Sequence, residues 1–228
     1  MCGRIVQSGA PYLPGVSIII GTPDDPRVDR PKYNGAPSQQ LRVIRRKPAS
    51  GVSQLDLLQW GLIPSWTKQP KAKPINATCE RIASAPMFRS AYAKRRCLVP
   101  VTAFYEWKAT EGAKVKQPYA IGLKSGEPFG LAGIWESWRK PDSEEIIRTF
   151  AVITCEPNSL VGQLHDRMPV IVRPAAYDRW LANIEPDPRD PLEPYPSEAM
   201  KIWPVSTRVN SPKNDDPDLL APVEVTGF

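Results

Sequence analysis

Proline stands at 27 of the 228 positions and recurs along nearly the whole chain, about twice its average usage. Its ring fixes φ and removes a backbone donor, so it breaks helices and interrupts central strands. Long helices and coiled coils are thereby excluded, and the chain must fold as short elements joined by many turns. Between the prolines lie apolar runs of strand length: "RRCLVPVTAFYEWK" (95–108), "PYAIGL" (118–123), "FGLAGIWESW" (129–138) and "IIRTFAVITC" (146–155). Glycine, proline or charged residues bound each run, and such a succession predicts an antiparallel, barrel-like sheet.

The remaining segments fit around that sheet. Strands are expected at 4–8 and 41–46, and "LDLLQWGLIPSW" (55–66) reads as a strand ending in an aromatic turn; 15–21 is an element of unassigned type. From 80 to 94 the pattern is helical, with Pro86 as a break or as the first turn of a second helix. Shorter helices are expected at 158–164 and at 173–184, where Pro174 takes the favoured first-turn position. Residues 185–198 are too rich in proline for regular structure, and from Val205 the tail is irregular and carries Asp215, Asp216 and Asp218. The reading is an α+β fold: one domain over 1–228, with a mostly antiparallel barrel-like core and peripheral short helices.

Hydrophobic residues make up 41% of the chain, enough to bury a sizeable core. Lysine and arginine exceed aspartate and glutamate by 30 to 24, a net charge of +6 that favours a polyanionic partner. No apolar run has the length of a membrane span, and the polar start lacks the core of a signal peptide. A soluble, cytoplasmic monomer is expected, nucleoid-associated if bacterial, with no membrane partner. The four cysteines show no CxxC spacing and there is one histidine, which argues against a zinc site or disulfide framework. Neither a metal nor a cofactor is expected, and Cys79, Cys97 and Cys155 read as free, mostly buried thiols.

Several residues carry chemistry. The chain opens "MCGR", and removal of Met1 would leave Cys2 with a free α-amine and a thiol on adjacent carbons. His165, the single histidine, falls with Asp166 and Arg167 in "LHDRMPVIV" (164–172), between a short helix and an apolar strand. Glu106 in "FYEWK" shares its strand face with Phe104 and Lys108 if alternation is strict. A carboxyl brought to an apolar face has its pKa raised and works as an acid or base near neutrality. Asn76 in "PINATCE" offers an amide that both donates and accepts. Basic residues gather at Arg42/Arg45/Arg46/Lys47, at Lys68/Lys71/Lys73 and at Arg89/Lys94/Arg95/Arg96, with Trp60 and Trp66 nearby in sequence. Phosphate neutralisation combined with stacking faces suits single-stranded nucleic acid, whereas Trp135 and Trp138 read as core.

Taken together, "MCGR", "YNGAPSQ", "WGLIPSW", "INATCE", "CLVPVTAFYEWK", "PYAI", "GLAGIW" and "HDRMPVIV" occur in the order and at about the spacing of the SRAP family. These are the SOS-response-associated peptidases, abasic-site processing proteins of DNA, and the resemblance runs from Cys2 to about Asn214. It implies a self-crosslinking enzyme: Cys2, once terminal, attacks the ring-opened abasic deoxyribose through its amine and closes a thiazolidine through its thiol. An α-amine of pKa about 8 is partly neutral at physiological pH, whereas a lysine is almost fully protonated. The resemblance further implies that Glu106 shuttles protons, that His165 is a second acid/base or orients the deoxyribose and assists reversal, and that Asn76 holds the Cys2 terminus or the sugar. Lyase activity and self-removal of Met1 come with it. Arg4, Asn34, Trp66 and Arg167 fall on positions of DNA contact or site support, and Pro37 and Met87 on apolar positions that wedge between bases. The implied partner is single-stranded DNA carrying abasic sites, including single-strand/double-strand junctions. One departure stands out: Thr78 occupies a position commonly held by arginine, so that either Arg81 or Arg89 compensates or DNA affinity is weaker. Two other readings remain open: a cysteine peptidase using Cys2 and His165, and a non-covalent single-stranded nucleic-acid binder.

Overall fold

The computed structural model describes residues 2–9, 12–20, 25–47, 50–109, 115–182 and 187–225. The strands, in chain order, are β1 (Ile5–Gln7), β2 (Ile19–Ile20), β3 (Lys32–Gly35), β4 (Gln40–Arg46), β5 (Ser53–Trp60), β6 (Asn76–Thr78) and β7 (Arg96–Val101). There follow β8 (Ala103–Lys108), β9 (Gln117–Leu123), β10 (Phe129–Arg139), β11 (Ile146–Cys155), β12 (Met168–Pro169), β13 (Ile171–Val172) and β14 (Met200–Pro204). The α-helices are α1 (Arg89–Lys94) and α2 (Tyr177–Ala182), each of six residues. This is the α+β architecture expected from the prolines and strand-length runs.

Two sheets share the chain. The larger runs β12-β11-β10-β7-β4-β5-β2, and a parallel pairing of β11 with β5 closes β5-β4-β7-β10-β11 into a barrel. Strand β6 lies parallel to β11, and β13 pairs with β10. The smaller sheet runs β14-β9-β8-β1-β3. Residues 95–108, expected as one apolar run, are two strands: β7 belongs to the barrel, and after Thr102 the chain continues as β8 in the smaller sheet. The Thr102 amide donates to the Val6 carbonyl at 2.9 Å, which ties this crossover to the N-terminal strand.

Alternation along β8 divides the core in two. Phe104 packs into the main cluster, with Leu98, Ile121 and Phe150, whereas Ala103 and Tyr105 belong to a smaller cluster with Val6, Ala120, Val205, Val209 and Leu219. The tail expected to be irregular therefore has a structural task, since its 3₁₀ turns Thr207–Asn210 and Pro217–Leu220 cover the outer face of the smaller sheet. Asn34, fully buried, holds the tail in place: its amide nitrogen donates to the carbonyls of Val209, Ser211 and Asn214 at 2.9–3.1 Å. Asp215 accepts from the backbone amides of Tyr33 and Asn34 and pairs with Lys32 at 2.7 Å.

Three local expectations change. The helix expected over 80–94 is confined to Arg89–Lys94; turns occupy the stretch before it, where Pro86 and the small residues of "IASAP" offer a helix no apolar stripe. The segment 158–164 contains only the 3₁₀ turn Val161–Gln163. The helix expected at 173–184 begins with a 3₁₀ turn, Pro174–Ala176, followed by α2; its last two residues lie outside the described set. Trp135 and Trp138 are core, as expected, at 6% exposure each.

Candidate functional site

The N-terminal segment is an interior part of the fold. Ile5 and Val6, both β-branched and fully buried, face the two opposite cores, and β1 is flanked by β3 on one side and β8 on the other. The Arg4 carbonyl accepts the Tyr105 amide at 3.0 Å, which extends the ladder back toward the start of the chain. Cys2 is thus fully buried and belongs to the main core cluster. Burial, reinforced by the carboxyl of Glu106, pushes its thiol far above the ordinary range.

Asn76 reaches Cys2 from the other sheet. It opens β6 in register with Val152 of β11, and its side-chain amide donates to the Cys2 carbonyl at 2.9 Å. The seam between barrel and smaller sheet is bridged at this hydrogen bond. The Asn76 amide oxygen is buried without a partner in the protein, an acceptor position that a ligand hydroxyl or amine can fill.

Glu106 lies on β8 opposite Tyr119 and, by alternation, faces the same way as Phe104, toward the main core. Only 2% of it is exposed, and burial raises its carboxyl to about 7, partly offset by the positive charge at the start of the chain. Asp166 raises it further and Lys116 lowers it.

His165 follows the Val161–Gln163 turn, its amide donating to the Val161 carbonyl at 3.1 Å. Asp166 and Lys116 shift it as they shift Glu106, so the two groups share one electrostatic neighbourhood. Its pKa is lowered, chiefly by burial, with Asp166 acting in the opposite direction. Nδ1 faces two partners that require opposite protonation states: the Arg167 amide donates to it at 3.0 Å, while the Asp166 carboxylate lies 2.7 Å away. The neutral ring with its lone pair on Nδ1 satisfies the amide, and either the neutral Nδ1–H tautomer or the imidazolium satisfies the carboxylate. Cys2, Asn76 and Glu106, named from sequence alone, therefore meet at the seam, and His165 shares the electrostatic neighbourhood of Glu106.

The residues singled out for DNA contact divide. Trp66 is 64% exposed, in the turn after β5. Arg81 and Arg89 are exposed, and Pro37 and Met87 half-buried. Arg4, half-buried, donates to the carbonyls of Gly3 and Asn210. Arg167 is committed to a two-pronged ion pair with Glu80, at 2.7 and 3.0 Å, and to the Thr154 carbonyl. Asn34 is turned inward on the tail, so its role is positional. Trp60 is not a stacking platform: it is 1% exposed, stacks on Phe150 at 5.9 Å and donates to the Ile75 carbonyl. Of the basic clusters, Arg42, Arg45 and Arg96 are buried, the last two over the rings of Trp135 and of Trp180. Lys47, Lys68, Lys71, Lys73 and Lys94 are exposed.

Sequence reasoning missed Lys116 and Arg189. Arg189, from the proline-rich loop, donates to the Cys79 carbonyl at 3.0 Å and so brings a guanidinium beside Thr78. Nothing in the loop's composition signals that reach. Among the described residues no three His, Cys, Asp or Glu side chains cluster as a metal requires.

Comparison with known proteins yields a consistent picture. Residues 1–212 match the family model described as SOS response associated peptidase (SRAP). Abasic site processing protein YoqW of Bacillus subtilis is 40% identical over 195 residues, covering 83% of this chain and 85% of that protein. Abasic site processing protein HMCES of Gallus gallus is 29% identical over 228 residues, covering 86% and 67%. A crystal structure of a protein from Bacteroides thetaiotaomicron superposes with a TM-score of 0.83 at 25% identity, covering 98% of this chain and all of that one.

Proposed function

The chain belongs to the SRAP family, and from that premise we propose that it is an abasic-site processing protein that links Cys2 covalently to the lesion in single-stranded DNA. The observation that carries the reading is the convergence of the Cys2 main chain, the Asn76 amide and the Glu106 carboxyl at one seam.

In this reading Met1 is removed and the α-amine of Cys2 becomes the first nucleophile. The abasic deoxyribose opens to an aldehyde, and the neutral amine adds to its C1′ carbon to give a carbinolamine. Loss of the hydroxyl as water, with a proton supplied by Glu106, leaves an imine. A carboxyl raised to about 7 can hold that proton and take it back near neutral pH. The thiol sulfur then adds to the imine carbon while its proton ends on the nitrogen, closing the thiazolidine. Burial raises the thiol, which favours this order of events: the amine attacks first, and the sulfur follows once held against the imine. His165 would exchange protons with the sugar oxygens, its Nδ1 partners allowing either charge state.

A cysteine-peptidase reading needs a thiolate at neutral pH, and the raised Cys2 thiol gives it no support. The test is a denaturing gel of Met1-processed protein with a single-stranded oligonucleotide carrying one abasic site, beside an intact oligonucleotide and Cys2→Ala. A heat-stable, abasic-specific band absent from Cys2→Ala is the expected result. Its absence from protein with Cys2 verified as terminal by mass would overturn the proposal.

A further inference from the structure

Away from the Cys2 centre, a cavity of about 500 Å³ opens where β3, β4 and the tail meet, with Arg27, Arg30, Lys32, Arg42 and Lys213 in its lining. Leu41, Leu57, Pro31 and Pro212 supply apolar wall, and the amides of Gln7, Gln39 and Gln40 with the Asp215 carboxylate complete it. We propose that this cavity seats a phosphodiester and its attached nucleoside from the strand flanking the lesion.

The charge count favours an anion. Arg27 is paired with Asp25, Lys32 with Asp215, and Arg42 feels Asp29. No described carboxylate pairs with Arg30 or Lys213, both exposed. Arg42 is only 3% exposed; its Nη atoms donate to the carbonyls of Gln7 and Gly9, and its Nε is buried without a partner. Arg30 and Lys213, exposed and without a carboxylate, are suited to a phosphate oxygen, with the charge of the buried Arg42 guanidinium behind them. Apolar walls and side-chain amides give the attached base a surface to lie on and groups to bond.

Position ties the cavity to the proposed site. Gln7 is five residues along the chain from Cys2, about 16 Å at strand rise. The tail makes the same connection, because the Asn210 carbonyl accepts from Arg4 and Lys213 lies three residues further on. The tail thus carries Lys213 of the cavity close in sequence to the contact that Arg4 makes beside Cys2.

The inference rests on the nucleic-acid part of the proposed function and is independent of its covalent step. The experiment is fluorescence anisotropy of the full chain and its Arg30→Ser/Lys213→Ser double variant, titrated at several salt concentrations with intact single-stranded oligonucleotides of about twelve and about three nucleotides. Both residues are exposed, so an unchanged melting temperature verifies the fold. The expected result is an approximately tenfold loss of affinity for the longer strand, with the log–log salt slope lower by about 1.4, and no change for the shorter. Equal affinity and slope on the longer strand, or the same loss on the shorter, overturns the proposal. Failure of the crosslinking reading would instead appear as absence of an adduct on a short abasic oligonucleotide, which leaves these titrations unaffected.

Discussion

The amide of Asn76, on a strand of the barrel, holds the carbonyl of Cys2, ahead of the first strand of the smaller sheet, at 2.9 Å. One hydrogen bond thus fixes the start of the chain against the opposite sheet. Asn76→Ala removes the donor and should slow adduct formation about tenfold through misplacement of the nucleophile, while affinity for intact single-stranded DNA stays close to that of the parent. Asn76→Asp sets a carboxylate against the carbonyl and should be worse. Single-turnover crosslinking rates beside anisotropy separate the two effects.

Glu106 predicts a pH signature. Its carboxyl is raised from 4.5 to about 7 in the folded chain, so the folded state binds the proton more tightly than the unfolded one. The associated stability is fully present below about pH 4.5 and is lost as pH rises through about 7. Glu106→Gln keeps the shape without the charge. Denaturant melts from pH 5 to 8 should show the parent losing up to about 3 kcal/mol relative to this variant, while crosslinking by the variant falls at least about a hundredfold. Parallel stability curves would refute the assignment.

As the only histidine, His165 gives one resolvable imidazole titration by NMR. Its midpoint should lie below the ordinary 6.5, because burial disfavours the cation. Asp166→Asn removes the neighbour acting in the opposite direction and should lower the midpoint further, shifting any His165-dependent limb of the crosslink-reversal profile by the same amount.

Two tryptophans in one stretch should behave in opposite ways. Trp66→Ala removes an exposed ring and should cost about 1–3 kcal/mol of single-strand affinity with little change in melting temperature. Trp60→Ala empties a buried stacked site and should cost about 3–5 kcal/mol of stability.

Asn34→Ala strips three carbonyls of the tail of their donor. The Val209 carbonyl is left buried and unpaired and the other two partly exposed, so a loss of about 1–3 kcal/mol is expected in denaturant melts, together with earlier protease cleavage within residues 205–220.

Apolar runs bounded by turn residues made the long strands legible: the runs at 118–123, 129–138 and 146–155 became β9, β10 and β11 almost residue for residue. Parity likewise identified the face of Glu106, since alternation is local and needs no partner. What escaped was set by distant chain. β6 and β12 are two or three residues long and exist because β11 offers an edge to pair with. The tail looked loose because its contacts are backbone carbonyls meeting one asparagine far away in sequence. Burial of Arg42, Arg45 and Arg96 was hidden for the same reason: a run of cations does not say which of them will find carbonyls or rings. The grouping of Cys2, Asn76, Glu106 and His165 was visible only through family resemblance, because no spacing rule brings together residues so widely separated.

The flanking of β1 by β3 and β8 has a consequence in time. During synthesis, residues 2–7 acquire their last neighbours only when much of the protein has been made, since Glu106 and then His165 must emerge before the seam is complete. In the proposed function, Cys2 of a nascent chain therefore lacks the groups that would arm it, and reactivity arrives with the finished fold.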